Sequence, residues 1–335
     1  MHATFARVAV VGAGTWGTTL ASLVANNAPT VLWARRGDLV AELRRTRRNE
    51  AYLPGIDLHP ELRFSDDYAE TLTDADVVIM AVPSGGFRDV ARNMAPYVAH
   101  GVPLVSVTKG LERGTGRRMS EVLADVLPQR PVAALSGPNL AREIAEGQPA
   151  ASVVACNDDA VAQRLQALFA RPTFRVYTND DLVGCEIGGV VKNVLAIATG
   201  IAHGMGFGDN TRATLITRGL AEMSRLGVAL GADVLTFSGL AGVGDVVATC
   251  SSMRSRNTTV GVRLGRGDSL GDAVASTGQM VAEGVRSAAA IVALARKVAV
   301  EMPICEAVAD VCDGRVGAGD AMSRLMTRAY KSERS

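Results

Sequence analysis

Hydrophobic and polar positions follow two different patterns along the chain. In the first half, short apolar runs alternate with longer mixed segments. Residues 6–11, 30–34, 77–82, 103–107 and 131–135 read as buried strands, and 151–155 and 173–177 extend the series. Strands alternating with helix-forming segments predict a Rossmann-type, doubly wound, mainly parallel sheet. From about Asp180 the strand pattern stops. Residues 184–205, 211–230, 287–300 and 305–313 read as helices, so an all-helical second part is expected. The expected division is 1–181 and 182–335. No Pro- or Ser-rich linker separates the two parts, so they should pack together. Residues 331–335 read as a frayed tail.

One apolar segment breaks its own pattern. Residues 184–198 form a small-residue helix with a lysine, Lys192, inside it. Its neighbours three and four positions away are Gly188, Gly189, Leu195 and Ala196, none a carboxylate. Lys192 either snorkels to solvent or serves as an acid–base amine on a rigid element. The adjacent glycines would leave room for a ligand to approach the helix.

The first strand runs directly into Gly12-Ala13-Gly14-Thr15-Trp16-Gly17, and a helix pattern follows. This is GxGxxG in its required context. Gly12 permits the turn, Gly14 admits a pyrophosphate, and Gly17 lets the helix pack close to the sheet. A helix N-terminus there favours an anion. Residues 1–181 are therefore expected to bind a dinucleotide. The second strand ends in Ala34, Arg35 and Arg36, where an NAD site usually carries an acidic residue. An arginine suits a ribose 2′-phosphate, so NADP(H) is expected to be preferred, with NAD(H) possible.

On such a sheet, ligands lie beyond the carboxyl ends of the strands. Those ends carry Pro83-Ser84, Thr108-Lys109-Gly110 and Ser136-Gly137-Pro138-Asn139. Farther on, 240–249 is a glycine-marked turn into a helix. Its Asp245 reads as an N-cap, or as a group sharing a face with Thr249 that orients an amine or a hydroxyl. Met253-Arg254-Ser255-Arg256-Asn257 gathers donors that suit a phosphate. The composition of 279–284 does not reveal a role.

The 335 residues include 35 basic and 34 acidic side chains, a balance that argues against nucleic acid or an anionic membrane as main partner. The cluster Arg44, Arg45, Arg47 and Arg48 reads as a solvated surface, or as one that attracts a phosphorylated ligand. Five cysteines without a CxxC pair fit a reducing compartment. His2, His59, His100 and His203 form no metal-ligand pattern, so no metal is expected. The N-terminus lacks the parts of a signal peptide, and the longest apolar run is interrupted by Lys192 and Asn193. A cytoplasmic protein is expected.

Gly12–Thr18, Thr108-Lys109-Gly110, Ser136-Gly137-Pro138 and Val191-Lys192-Asn193 resemble the bacterial NAD(P)-dependent glycerol-3-phosphate dehydrogenases. So do Asn210-Thr211-Arg212-Ala213, Leu240–Asp245 and Ser255-Arg256-Asn257. The likeness runs in order from about residue 6 to 290. It implies reversible reduction of dihydroxyacetone phosphate to sn-glycerol 3-phosphate, which supplies glycerophospholipid synthesis, in a cytoplasmic homodimer. By the resemblance Lys192 is the proton-transfer residue; Asn193 beside it and Thr249, which shares a helix face with Asp245, are expected to support it. Lys109, Gly137, Asp245, Ser255, Arg256 and Asn257 would contact the substrate. Asn139 stands where the family often has a small hydroxyl residue, and its amide would donate to the substrate in that residue's place. Arg142 replaces a frequent lysine. Cofactor contacts would come from Gly12, Gly14, Thr15, Trp16, Gly17, Arg35, Arg36, Lys109, Ala141, Arg256, Val281 and Glu283. The rivals are a related dehydrogenase acting on a 3-hydroxy acid or a sugar acid, a histidine mechanism through His203, and a non-catalytic dinucleotide sensor.

Overall fold

The structure is a computed structural model that describes residues 5–278, 282–329 and 332. Eight strands form one sheet: β1 Val8–Val11, β2 Thr30–Trp33, β3 Arg63–Ser65, β4 Val77–Met80, β5 Leu104–Ser106, β6 Val132–Ser136, β7 Ala150–Cys156 and β8 Phe174–Asn179. Their order is β3-β2-β1-β4-β5-β6-β7-β8. The β6–β7 pair is antiparallel and the other neighbours are parallel. Strand order reverses between β1 and β4, which opens the crevice where such sheets take ligands.

Seven helices connect the strands: α1 Thr15–Val24, α2 Gly37–Thr46, α3 Tyr68–Leu72, α4 Phe87–Met94, α5 Met119–Val126, α6 Ala141–Ala145 and α7 Asp159–Phe169. The side chains of α1 join one apolar core and those of α4 another, along with alternate residues of β1 and β4. The sheet is thus covered on both faces, as its continuous apolar strands require.

The short strand β3 has no counterpart in the hydrophobic pattern, because three residues cannot establish a period. It is held from outside. Arg44 donates twice to Phe64 O, at 3.0 and 2.8 Å, and Arg47 donates to Leu62 O at 2.7 Å. Arg48 pairs with Asp57 at 2.6 Å. Three of the four arginines read as a solvated cluster therefore fasten the segment that leads to β3.

The second part is built around α8, Leu182–Gly204. Asp181 caps it, accepting from Gly184 N at 2.8 Å. This helix is long and apolar enough to cross a membrane, but 89% of its most apolar window is buried inside the protein. It is a core axle. Around it lie α9 Asp209–Ala229, α10 Asp245–Ser251, α11 Arg256–Gly265, α12 Leu270–Ala275, α13 Glu283–Lys297, α14 Pro303–Cys312 and α15 Ala318–Met326. A Cβ on Gly200 would fall 2.4 Å from Thr258 O, so α8 and α11 touch backbone to backbone. The pattern had not shown α11, α12 or α15. The first turn of α11 is Arg-Asn-Thr-Thr, which reads as loop.

All five cysteines are buried and free. Among the described residues no cluster of metal ligands occurs. Of the terminal segment read as a tail, only Ser332 is among the described residues.

Candidate active site

A cavity of about 600 Å³ opens over the carboxyl ends of β1, β2, β4 and β5 and continues to α8, α11 and α13. Its outer end is the glycine turn. Gly12 has φ +116°, and a Cβ there would lie 2.5 Å from Ala81 O. A Cβ on Gly17 would lie 1.9 Å from Gly12 O, whereas one on Gly14 would meet nothing within 4 Å. Two positions thus close the turn and the third faces open space. Gly14 caps α1 without a side-chain bond, which leaves the first N–H groups of the helix for an anion. Asn49, which sequence reasoning missed, holds the turn from below. It is fully buried, and its amide donates to Ala13 O at 3.0 Å and to Thr18 Oγ1 at 2.7 Å. Nothing in its sequence neighbourhood signals that role.

At the inner end three charges meet. Asp245 is buried, at 1% exposure. Its Oδ2 accepts from Lys109 Nζ at 2.6 Å, and its Oδ1 lies 3.2 Å from Lys192 Nζ. Thr249 Oγ1 accepts from Lys192 Nζ at 2.8 Å and donates to Asp245 Oδ1 at 3.2 Å. Lys109 Nζ also donates to Gly137 O at 2.8 Å. Lys192 lacks a partner on its own helix, as expected, but finds one on α10. It does not snorkel free. Asp245 is the first residue of α10 and Gly244 holds the cap position, so the N-cap reading of Asp245 is corrected. Asp245 and Thr249 share a helix face, as their spacing predicted.

Burial pulls the Lys109 ammonium down to about 8; Asp245 resists the shift and the nearby Lys192 adds to it. One carboxylate between two ammonium groups leaves the cluster net positive, an arrangement that favours a developing negative oxygen.

The glycines beside Lys192 serve a different purpose from the one expected. A Cβ on Gly188 would lie 2.3 Å from Ala241 O, and one on Gly189 would lie 3.2 Å from Lys109 Cγ. They make room for the turn before α10 and for the Lys109 side chain, not for a ligand.

Asn193 ties the elements together. It donates to Lys109 O at 3.1 Å and accepts from Asn257 Nδ2 at 2.9 Å, while Asn257 Oδ1 accepts from Gly284 N at 3.0 Å. Arg256 and Asn257 open α11 and line the cavity. Ser255 is the cap of that helix, accepting from Thr258 N at 3.3 Å, and Ala141 opens α6. Neither of these two lines the cavity. Glu283 lines it, but both its oxygens are engaged by Ser84, from the backbone N at 3.2 Å and Oγ at 2.6 Å. That bond joins the sheet to α13, and the strand-end position of Ser84 was its one sequence signal. Val281 lies outside the described residues.

Thr15, Trp16, Arg35 and Arg36 line the outer part. Both arginines are exposed at the end of β2, with Arg36 3.6 Å from Asp38. His203 is exposed near the far end of α8 and does not line the cavity.

Among the described residues, two buried polar atoms on the cavity wall have no partner: Trp16 Nε1 and Asn139 Oδ1. The other side of the Asn139 amide donates to Ser152 Oγ at 3.1 Å. A donor and an acceptor left open in a cation-rich cavity with an open glycine turn fit a polyanionic, polar ligand such as a nicotinamide dinucleotide.

The chain matches the family model described as NAD-dependent glycerol-3-phosphate dehydrogenase N-terminus over residues 7–162, and the corresponding C-terminus model over residues 181–323. It is 53% identical over 330 residues to a protein of Corynebacterium glutamicum named glycerol-3-phosphate dehydrogenase (NAD(P)+), covering 97% of this chain and 99% of that one. A Sphingopyxis alaskensis protein of the same name, numbered 2, is 50% identical over 327 residues, 98% of each chain. The crystal structure of glycerol-3-phosphate dehydrogenase from Coxiella burnetii superposes with a TM-score of 0.93 at 38% identity, covering 96% of this chain and 99% of that one.

Proposed function

Since this chain belongs to the NAD-dependent glycerol-3-phosphate dehydrogenase family, we propose that it reduces dihydroxyacetone phosphate reversibly to sn-glycerol 3-phosphate with a nicotinamide cofactor. The observation that carries this reading is the Lys109–Asp245–Lys192 cluster at the closed end of a dinucleotide-sized cavity. The resemblance carried by the sequence motifs is the family that the full-length matches support.

The cofactor supplies the hydride. This chain's residues hold the reactants and manage charge and the proton. The Gly12–Gly17 turn would hold the diphosphate on the open N–H groups of α1. Arg256, Asn257 and the N-terminal end of α11 suit the substrate phosphate. Lys192 Nζ gives its proton to the carbonyl oxygen as that oxygen gains charge, and takes it back in alcohol oxidation. Lys109 stabilises the same oxygen electrostatically. Asp245 and Thr249 are positioning residues that aim the Lys192 amine. Asn193 holds Lys109's backbone and Asn257 in one frame.

Arg35 and Arg36, with no carboxylate at the end of β2 itself, support a preference for NADPH over NADH. Asp181 caps α8, which supports a division at 181/182 between a cofactor-binding sheet and a substrate-binding helical part. A cytoplasmic homodimer feeding glycerophospholipid synthesis is the setting we assign. The test is cofactor oxidation with dihydroxyacetone phosphate, run with NADPH and NADH in parallel. Turnover with both and a higher kcat/KM for NADPH is expected. Binding of NADPH without consumption would point to the sensor reading, and equal turnover of an unphosphorylated hydroxy-acid precursor to the rival dehydrogenase.

A further inference from the structure

Among the described residues six cations line the cavity, and five have roles above. The sixth is Arg286. It lies on α13, one turn after Glu283, and is exposed to the cavity. A Cβ on Gly85 would fall 3.1 Å from its Nη1, so the guanidinium is seated on the turn between β4 and α4. No hydrogen-bond or ion-pair partner for it occurs among the described residues. The nearest carboxylate on its own helix, Glu283, is already engaged by Ser84.

The position matters because of the sheet's two faces. The β1–α1 turn leads to the helix on one face, and the β4–α4 turn to the helix on the other. A ligand in the crevice lies between these turns. The glycine turn supplies neutral N–H donors but no cation. Arg35 and Arg36 stand at the β2 end, while Lys109, Lys192 and Arg256 stand toward the reacting end. Arg286 lines the same cavity from the β4–α4 turn and α13, apart from both groups.

We propose that Arg286 is the cation that clamps the cofactor's diphosphate from the helical side. A forked guanidinium bridges neighbouring phosphoryl oxygens. The clamp also makes α13 a strap across the cofactor, fastened to the sheet by Glu283 and Ser84. It rests on the reading of this cavity as the nucleotide site.

The experiment is a set of fluorescence titrations of wild type, R286M, R286K and G14L with NADPH, NADH and adenosine 2′-monophosphate, which carries the 2′-phosphate but no diphosphate. R286M should weaken NADPH and NADH by a similar factor, roughly tenfold or more, the scale of a lost charge-assisted hydrogen bond. R286K should fall between it and wild type. Adenosine 2′-monophosphate should bind R286M as it binds wild type. Loss confined to NADPH and adenosine 2′-monophosphate would show that Arg286 reads the 2′-phosphate, and unchanged affinities would make it a solvated surface group; either overturns the proposal. G14L separates this failure from failure of the site. Gly14 has φ −73° and ψ −178°, open to any residue, and its added side chain enters the cavity. NADPH binding by G14L at wild-type strength would overturn the cavity reading itself.

Discussion

The two ends of the cavity are built on opposite plans. The glycine turn presents its donors from six consecutive residues, with Asn49 bracing it from outside. Its conformation follows from a positive φ at Gly12 and the contact of Gly17 with Gly12 O. It offers fixed, neutral donors. The reacting end takes Lys109 from the end of β5, Lys192 from the middle of α8, and Asp245 and Thr249 from α10. Asp245 lies 136 positions from Lys109. It offers charge, and its geometry exists only once the helices have packed. Binding is thus encoded locally and chemistry by tertiary assembly, so each should be removable without the other.

The largest separation is expected from Asp245→Asn. Removing the carboxylate that two ammonium groups share should cost turnover at least about a hundredfold, through the misplaced amine and the lost electrostatic balance. It should also destabilise the fold by about 3 kcal/mol, as breaking a buried ion pair does. NADPH titration should nevertheless give a Kd near the wild-type value, because the turn is untouched. Gly14→Leu is the converse, with binding lost and the thermal midpoint preserved.

A second effect is pH dependence. Lys109 titrates near 8, lowered from its ordinary value, so its charge is present below that pH and lost above it. kcat/KM for ketone reduction should fall above about pH 8, with NADPH binding at the turn staying flat across the same range. A profile level to pH 10 would remove Lys109 from the electrostatic role.

The smallest effect lies outside both regions. Glu222 on α9 is buried, and accepts from Ile304 N at 2.7 Å and Cys305 N at 3.2 Å at the start of α14. Burial, only partly offset by those donors, pushes it from 4.5 up to about 7. Between those values the folded state holds a proton that the unfolded state has released. Stability should therefore be fullest below about pH 4.5 on this account and decline as pH rises through 7. Glu222→Gln should flatten that slope, seen as a change of a few degrees in the thermal midpoint between pH 5 and 8, while neither the turn nor the cluster responds.

The same contrast explains what could be read in the chain. Strands β1, β2 and β4 to β8 were legible because they are apolar runs, and the glycine turn because its signal is contiguous. Strand β3 was hidden by its length, and α11 by a polar first turn. Lys192 could be singled out as a charge without a local partner, but its partner could not be derived, since nothing in the 184–198 pattern points to residue 245. Helix spacing offered Asp245 and Thr249 as a pair that could orient an amine, the resemblance added a substrate contact for Asp245, and the fold supplied the contact with Lys192. Gly188 and Gly189 were misjudged for the same reason: a close approach looks alike whether backbone or ligand fills the space.

The central claim is that Lys192 is the proton donor, held by Asp245 and Thr249. The direct measurement is steady-state reduction of dihydroxyacetone phosphate by Lys192→Met, with NADPH affinity measured on the same preparation. Methionine keeps the buried volume, and Asp245 keeps its bond to Lys109. The predicted result is a fall in kcat of at least about a hundredfold at unchanged NADPH affinity. Turnover near the wild-type rate, with the cofactor bound as tightly as before, would contradict it.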